Sequence, residues 1–298
     1  MTADKNIAGN YTLKEDGTLT GTGSSKTITL TPKDGGSNNG FKLENDATHK
    51  TCAAGRMFMV IMPGKYVLTI KYYIKDTKTN VSGVITKKFK AFDYAANGYY
   101  DMPSKLTMRA YGDDYYMWDA KNDYWFGHKS DQPKETGTPG SNYPTSSDAQ
   151  RWYNKDAKFP TAATNTAKDC PNANEITWYC LEGDPRWDNT TLWSVWEHLY
   201  TGGMWFSHAN TKIFETPPSN KKLKKGIPAN MSDYIFLPAM GNYTNGKFNS
   251  FRTYGFYWLK TPYPYGSEIA FNLFFKENEA DLSNMSNRSN RYKLWTSE

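Results

Sequence analysis

The tail of the chain, Gly255 to Trp295, is the stretch that most restricts how this sequence can fold. It opens with an aromatic cluster, Phe256-Tyr257-Trp258, and a proline-punctuated turn from Thr261 to Gly266. The apolar run Ile269 to Phe275 follows, long enough for one buried strand. A polar tract rich in Asn and Ser comes next, closed by a short strand at Tyr292 to Trp295. Apolar anchors with Tyr, Asn, Ser and Lys between them suit a binding surface. Rigid aromatics supply contact area there, and small polar groups supply adaptable hydrogen bonds.

Upstream, strand signals recur. Residues 1–25 read as an arm or loose hairpin. Thr27 to Thr31 alternates with period two, and Met57 to Met62 reads as a buried strand. Tyr66 to Ile74 is the strongest strand of the first half; a polar hairpin loop, Lys75 to Gly83, leads to a return strand, Val84 to Phe92. A last strand fits Lys105 to Tyr111. Five strands with no helical period predict a β-sandwich. A chain of 298 residues has room for two domains. Its 16% aromatic content, with 23 Gly and 15 Pro, favours short strands and turns over a helical bundle.

Residues 112–168 set Trp118, Trp125 and Trp152 among Gly, Pro, Ser, Asn and Asp, and Ser130 to Gln150 reads as a long surface loop. Such a loop is uncommon inside a compact domain, so the segment is read as a connection wrapping over the second domain. Two helices are expected next. Asn172 fits an N-cap, with Glu175 completing a capping box and Gly183 as the stop. The second runs from Asp188 or Asn189 to Thr201, because Leu192, Trp193, Val195, Trp196, Leu199 and Tyr200 recur at spacings of three and four. Met204 to Phe206 and Tyr234 to Ala239 read as core strands. The expected fold class is therefore mostly β with an α+β part: a β-sandwich over 1–111, a connecting segment over 112–168, and a two-helix domain over 169–298.

The formal charge is +6, with Lys and Arg scattered. The Lys221 to Lys225 run reads as a solvated loop, so no nucleic-acid partner is expected. No apolar run reaches the roughly 18 residues of a membrane span. Met1 is followed by Thr-Ala-Asp-Lys, with no signal-peptide h-region. Cys52, Cys170 and Cys180 are an odd set, and ten residues of helix would part the last two by about 15 Å, too far for a disulfide unless the helix is short or broken. No four-ligand zinc spacing exists, and no metal or cofactor is expected. His49, His128, His198 and His208 fall in no catalytic spacing, and a non-enzymatic protein is expected. His198 would lie on the second helix beside Glu197, facing solvent or the core edge. Trp187, Trp193, Trp196, Trp205 and Trp258 read as core.

The candidate ligand residues lie in the tail. Tyr263 and Tyr265 sit in the exposed turn. If Leu273 and Phe275 face the core, Asn272 and Phe274 face outward together, while Phe271 shares the inward side under strict alternation. Tyr257, Lys260, Asn284, Ser286, Asn287, Ser289, Asn290 and Lys293 complete the set.

Five ordered motifs carry a family resemblance: PNANEITWYCLEGDPRWD, LWSVWEHLYTGGMWF, YIFLPAMGNY, GFYWLKTPYPYGSEIAFNLFF and NRSNRYKLW. Together they resemble the C-terminal module of fimbrillin-like surface proteins of Gram-negative gut anaerobes, over roughly residues 112–298. That module is related to the Fibrobacter major paralogous domain and has a C-type lectin-like fold. The first half is similar to a fimbrillin, Ig-like β-sandwich through MPGKYVLTIKYYI, ITKKFKAF and YYDMPSKLTM. The resemblance implies an exported adhesin or fimbrial tip subunit on the outer cell surface, with its signal or lipid anchor outside these residues. It implies a protein or glycan ligand on a host or bacterial surface, and fimbrial partners joined by donor-strand exchange. Some such relatives are variable proteins of diversity-generating retroelements, and the tail's frame of anchors with Asn and Ser between them is similar to theirs. Leu259-Lys260 stands where the family has Ser-Ser, and Arg291 where it has Gly. The calcium motif of sugar-binding lectins is missing, so calcium-dependent sugar binding is not expected. The alternatives are a structural pilus subunit without a ligand site, or an extracellular carbohydrate-active enzyme.

Overall fold

The structure is a computed structural model that describes residues 1–33, 40, 57–102, 106, 108–208 and 223–295. The chain is mostly β and falls into two units. The first comprises Met1–Lys75 and Ser82–Thr107, the second Asp76–Val81 and Met108–Glu298.

The first unit holds β1 (Thr2–Ala3), β2 (Ala8–Leu13), β3 (Leu19–Ser25), β4 (Gly64–Tyr66), β5 (Leu68–Lys75), β6 (Ser82–Lys88) and β7 (Phe92–Tyr94). They pair as three small sheets, β1-β5-β6, β2-β3 and β4-β7. Its core is small: Ile7, Tyr66, Leu68 and Tyr94 are buried together. Two expected strands are corrected. Thr27 to Thr31 keeps only a single bridge from Thr27 to Thr2. Met57 to Met62 forms no strand, and Met57, Phe58 and Val60 are exposed. An apolar run without a period specifies neither a partner nor a face, so burial could not be read from it. Among the described residues of Lys105 to Tyr111, only Arg109–Ala110 is a strand, and it pairs within the second unit; Lys105 and Thr107 lie outside the described residues.

The second unit holds β8 (Arg109–Ala110), α1 (Ala173–Leu181), β9 (Arg186–Asp188), β10 (Trp193–Val195), β11 (His198–Tyr200), β12 (Gly203–Ser207) and β13 (Lys224–Lys225). It continues with β14 (Tyr234–Pro238), β15 (Asn242–Thr244), β16 (Lys247–Asn249), β17 (Gly255–Pro262), β18 (Ile269–Lys276), β19 (Glu279–Asn287) and β20 (Lys293–Leu294). Two four-stranded sheets dominate, β13-β9-β12-β14 and β19-β18-β17-β20. A smaller one has the order β11-β10-β8.

Helix α1 starts as the sequence predicts. The Asn172 side chain accepts from the Glu175 amide at 2.9 Å, and the Glu175 carboxylate accepts from the Asn172 amide at 2.5 Å. This reciprocal box satisfies two amides that a helix start leaves open. The second expected helix is not there; among the described residues α1 is the only α-helix. Residues 193–200 form a β-hairpin, β10 with β11, turning at Trp196 (φ 53°) and Glu197 (φ 64°). Two consecutive left-handed residues twist a two-residue turn to match its strands. Trp, Val, Leu and Tyr satisfy a helical spacing here, but they also favour strands. Trp196 is held in its unusual conformation by its indole N–H, which donates to Asp113 at 3.0 Å, and by packing on Phe248 and Phe251. His198 is accordingly on a strand; its Nδ1 lies 3.0 Å from the Asp76 carboxylate.

Residues 112–168 supply core rather than only a covering loop. Tyr115, Met117, Trp118, Tyr124, Trp125 and Tyr153 are buried in one cluster with Trp193, Trp205, Tyr243 and Trp258. Asp119 ties the segment together. Its fully buried carboxylate accepts from the Asn154 side chain (2.7 Å) and from the amides of Thr164 (2.8 Å), Asn165 (2.7 Å) and Ala167 (3.2 Å).

The exposed Glu197 makes a test of the hairpin. A non-glycine residue in the left-handed region is strained by about 1 kcal/mol, partly offset by the extra unfolded-state entropy of glycine. Glu197→Gly is therefore expected to raise the unfolding free energy in urea by roughly 0.5 kcal/mol. In a helix the same change would lower it by about as much, which would contradict the hairpin.

Candidate binding site

The tail forms the sheet β19-β18-β17-β20, and core covers both of its faces. Tyr257, Leu259, Leu273, Phe275 and Trp295 pack with Ile176 and Cys180 of α1 and with Met204 and Phe206 of β12. On the opposite side, Trp258, Ala270 and Tyr292 join the cluster built around Tyr115, Trp118 and Tyr243. Side chains alternate across the strands as expected, but the second side is a second core, not solvent.

That arrangement corrects the expected ligand face. Asn272 does share a side with Phe274, yet it is 1% exposed; its Nδ2 donates to the Leu273 carbonyl and its Oδ1 has no partner among the described residues. Tyr257 is buried, with its hydroxyl donating to the Pro238 carbonyl at 2.7 Å. Ser286 is buried beside the Tyr292 hydroxyl, 3.3 Å away, and Asn290, half-buried, donates to the same hydroxyl at 2.8 Å. Lys293 is buried as well. These four interior residues, Tyr257, Asn272, Ser286 and Lys293, are not displayed.

The others scatter. Tyr263 packs edge-on against Tyr265 (5.8 Å) and Phe271 (5.5 Å), and Tyr265 is 88% exposed at the turn. Phe274 instead packs on Tyr254 and Phe256, with the Lys276 ammonium 5.6 Å over its ring. Lys260 and Ser289 are half-buried and Asn287 is exposed. The Asn284 side chain lies outside the described residues. The polar tract that holds several of these candidates is mostly a strand: β19 pairs along β18 from Lys276↔Glu279 to Ile269↔Asn287.

A concave site does exist, in a place the sequence did not indicate. A cleft of about 590 Å³ lies where the end strands of three sheets, β8, β14 and β20, come together. Arg109, Tyr111, Tyr116, His208 and Tyr234 line it, with Tyr257 and Lys293 from the tail also contributing. The Arg109 guanidinium, exposed, lies 5.2 Å over the Trp205 ring. The segment carrying Tyr116 is fixed by reciprocal backbone hydrogen bonds to Tyr292, 2.8 and 3.0 Å. Burial pushes the Tyr116 phenol up to about 12, so it is a hydrogen-bonding hydroxyl at neutral pH.

Lys293 is the unusual charge of this region. Its Nζ donates to the carbonyls of Gly112 (2.8 Å) and Asp114 (2.6 Å) and sits 4.8 Å over the Tyr115 ring. Burial pulls its pKa down to about 8, against the opposing pull of Asp114 and Asp113. Those two carboxylates are also engaged by Lys129, whose Nζ reaches Asp113 (3.3 Å), Asp114 (2.5 Å) and Asp123 (3.1 Å).

Other reactive groups point to no chemistry. Cys170 and Cys180 are buried free thiols; burial raises Cys170 to about 12 and Cys180 further, which makes both inert. Cys52 lies outside the described residues. Among the described residues no group of three His, Cys, Asp or Glu is placed to hold a metal. Arg291 shows no left-handed φ, and its guanidinium lies 4.8 Å over the Tyr124 ring. Comparison with known proteins finds no matching family model, no matching curated protein and no matching solved structure.

Lys293 gives a pH test. With the folded pKa near 8 and the ordinary value at 10.5, the unfolded chain holds more protons between them. This group's contribution to stability therefore rises with pH across that window. The unfolding free energy of Lys293→Met minus that of the native chain is expected to fall steadily from pH 8 to 10 in urea titrations. A constant difference would show an amine that titrates normally.

Proposed function

We propose that the protein is a non-enzymatic, exported adhesin or fimbrial tip subunit of the outer cell surface. Its first unit would serve as a β-sandwich-type scaffold, and its second, lectin-like in type, would bind a protein or glycan ligand. The family resemblance of the five motifs motivates the setting. The cleft between β8, β14 and β20 carries the binding reading. Its size is that of small-ligand pockets, which take hundreds of cubic ångströms. Aromatic rings, a guanidinium and phenol hydroxyls line it.

The ligand site is thereby moved from a display face along the tail to a cleft that the tail helps to build. A hypervariable tail is not part of this proposal, since Tyr257, Asn272, Ser286 and Lys293 fill the interior and could not vary freely. The turn at Tyr263 and Tyr265 is a second, smaller candidate, because Tyr265 stands almost fully in solvent.

Full-length protein probed on glycan and surface-protein arrays is expected to find ligands, whose binding is then measured with variants. Arg109→Ala combined with Tyr116→Phe is expected to weaken binding about tenfold or more, with the melting temperature nearly unchanged. Binding that survives these changes but is lost in Tyr263→Ala/Tyr265→Ala would place the site on the turn. A purified chain that binds nothing while cells lacking it assemble defective fibres would instead favour a structural subunit.

A further inference from the structure

We infer that the open face of β5 and β6 in the first unit is a binding surface for an anionic polysaccharide, separate from the cleft. The strands pair antiparallel, with Thr69↔Lys88, Lys71↔Thr86, Tyr73↔Val84 and Lys75↔Ser82 opposite one another. Alternation places Lys71, Tyr73, Lys75, Ser82, Val84, Thr86 and Lys88 on one side. All seven are exposed, and Tyr73 is 79% exposed.

The charge on this face is one-sided. Neither strand contains an Asp or Glu, and none of the three lysines has an ion-pair partner among the described residues. The unit repeats the bias: its sequence holds 14 Lys and Arg against 8 Asp and Glu. That net +6 equals the net charge of the whole chain, since the second unit has 22 of each sign. Lysines on an outer strand are a common guard against strand addition, and Lys88 on β6 could be explained so. β1 pairs with β5 only at Leu68 and Thr69, so the same guard can extend to Lys71 and Lys75, but edge protection does not account for the exposed Tyr73 ring set between them.

Successive same-side residues on a strand lie about 7 Å apart. Lys71 and Lys75 therefore bracket the Tyr73 ring at about that distance on either side. A sugar ring can lay its C–H face on the tyrosine, whose π-face is negative, while carboxylate or sulfate groups on the same or neighbouring residues reach the lysines. Ser82 and Thr86 add hydroxyls for the sugar's own. A membrane surface would reward more than one large apolar side chain, and this face offers Tyr73 and Val84 alone.

The test uses the full chain with polygalacturonate and heparin as carboxylated and sulfated probes. Dextran is the neutral control; single-stranded DNA and phosphatidylserine vesicles are competitors. The protein is expected to bind both acidic polysaccharides at about 50 mM salt, with affinity falling as salt rises, and to ignore dextran. Lys71→Gln/Lys75→Gln/Lys88→Gln is expected to lose about tenfold or more in affinity, and the matching Lys→Arg variant to retain it. Tyr73→Ala is expected to weaken binding severalfold without changing the salt slope. Circular dichroism and melting check that each variant is folded; single Lys→Gln variants replace a triple that is not. No binding to either polysaccharide, equal binding by the Lys→Gln variant, or insensitivity to Tyr73→Ala with DNA or vesicles bound as tightly would each overturn the inference. Variants of Arg109 and Tyr116 should not affect these probes, so the outcome is independent of the cleft.

Discussion

A strand that must be buried on both sides constrains everything around it. β17 turns Tyr257 and Leu259 into one core and Phe256 and Trp258 toward the other. Gly255, at its start, lies against Phe275 so closely that a Cβ would fall 2.1 Å from the ring. Both cores are rich in aromatic rings, and several buried indoles donate to backbone carbonyls, although those of Trp125 and Trp152 have no partner among the described residues. The Trp118 indole donates to the Leu259 carbonyl (2.8 Å), and the Trp258 indole to the Tyr116 carbonyl (2.7 Å). These bonds stitch the segment after residue 112 to the tail strand, so the two distant stretches form one framework.

A sheet covered on both faces leaves only its ends and edges for partners. Its hairpin tip carries Tyr263 and Tyr265, and its last strand, β20, borders the cleft. The cleft is a by-product of how three sheets end near one another, and its walls come from residues 109–112, 114, 116, 208, 234–237, 240, 257 and 293–295. Lys293 illustrates the cost of such a place. Two carbonyls and an aromatic face hold its ammonium where water would otherwise hold it, and burial still draws its pKa down. The fully buried Arg288 is similar: it stacks 4.2 Å from the Trp118 ring and donates to the carbonyls of Ile269, Asn154 and Ala157.

Local signals were legible where the chemistry is local. The Asn172 and Glu175 pair needs only its own turn of chain, and the helix begins there. Tyr66 to Ile74 alternates in burial and gives most of β5. The segment 188–201 failed because its spacing fits a helix while its residue types fit strands. A turn built on Trp196 and Glu197 lacks the glycine or asparagine that would announce it. Such a turn holds because Asp113, Phe248 and Phe251 secure Trp196 from outside the hairpin. Met57 to Met62 failed for the reverse reason, since hydrophobicity alone does not assign a side chain to a core.

By itself, the sequence determined a mostly β chain, the capped helix, the strands of the tail and the alternation of side chains along them, because each depends on neighbours within a few residues. It also held the charge imbalance of the first unit, which composition alone records. Only the tertiary structure decided that both faces of the tail sheet are interior, that Asn272 and Ser286 are buried, and that Asp119 gathers residues 154–167. It alone brought Arg109, Tyr116 and Lys293 to one cleft. Alternation says which residues share a side; what covers that side is decided by segments more than a hundred residues away.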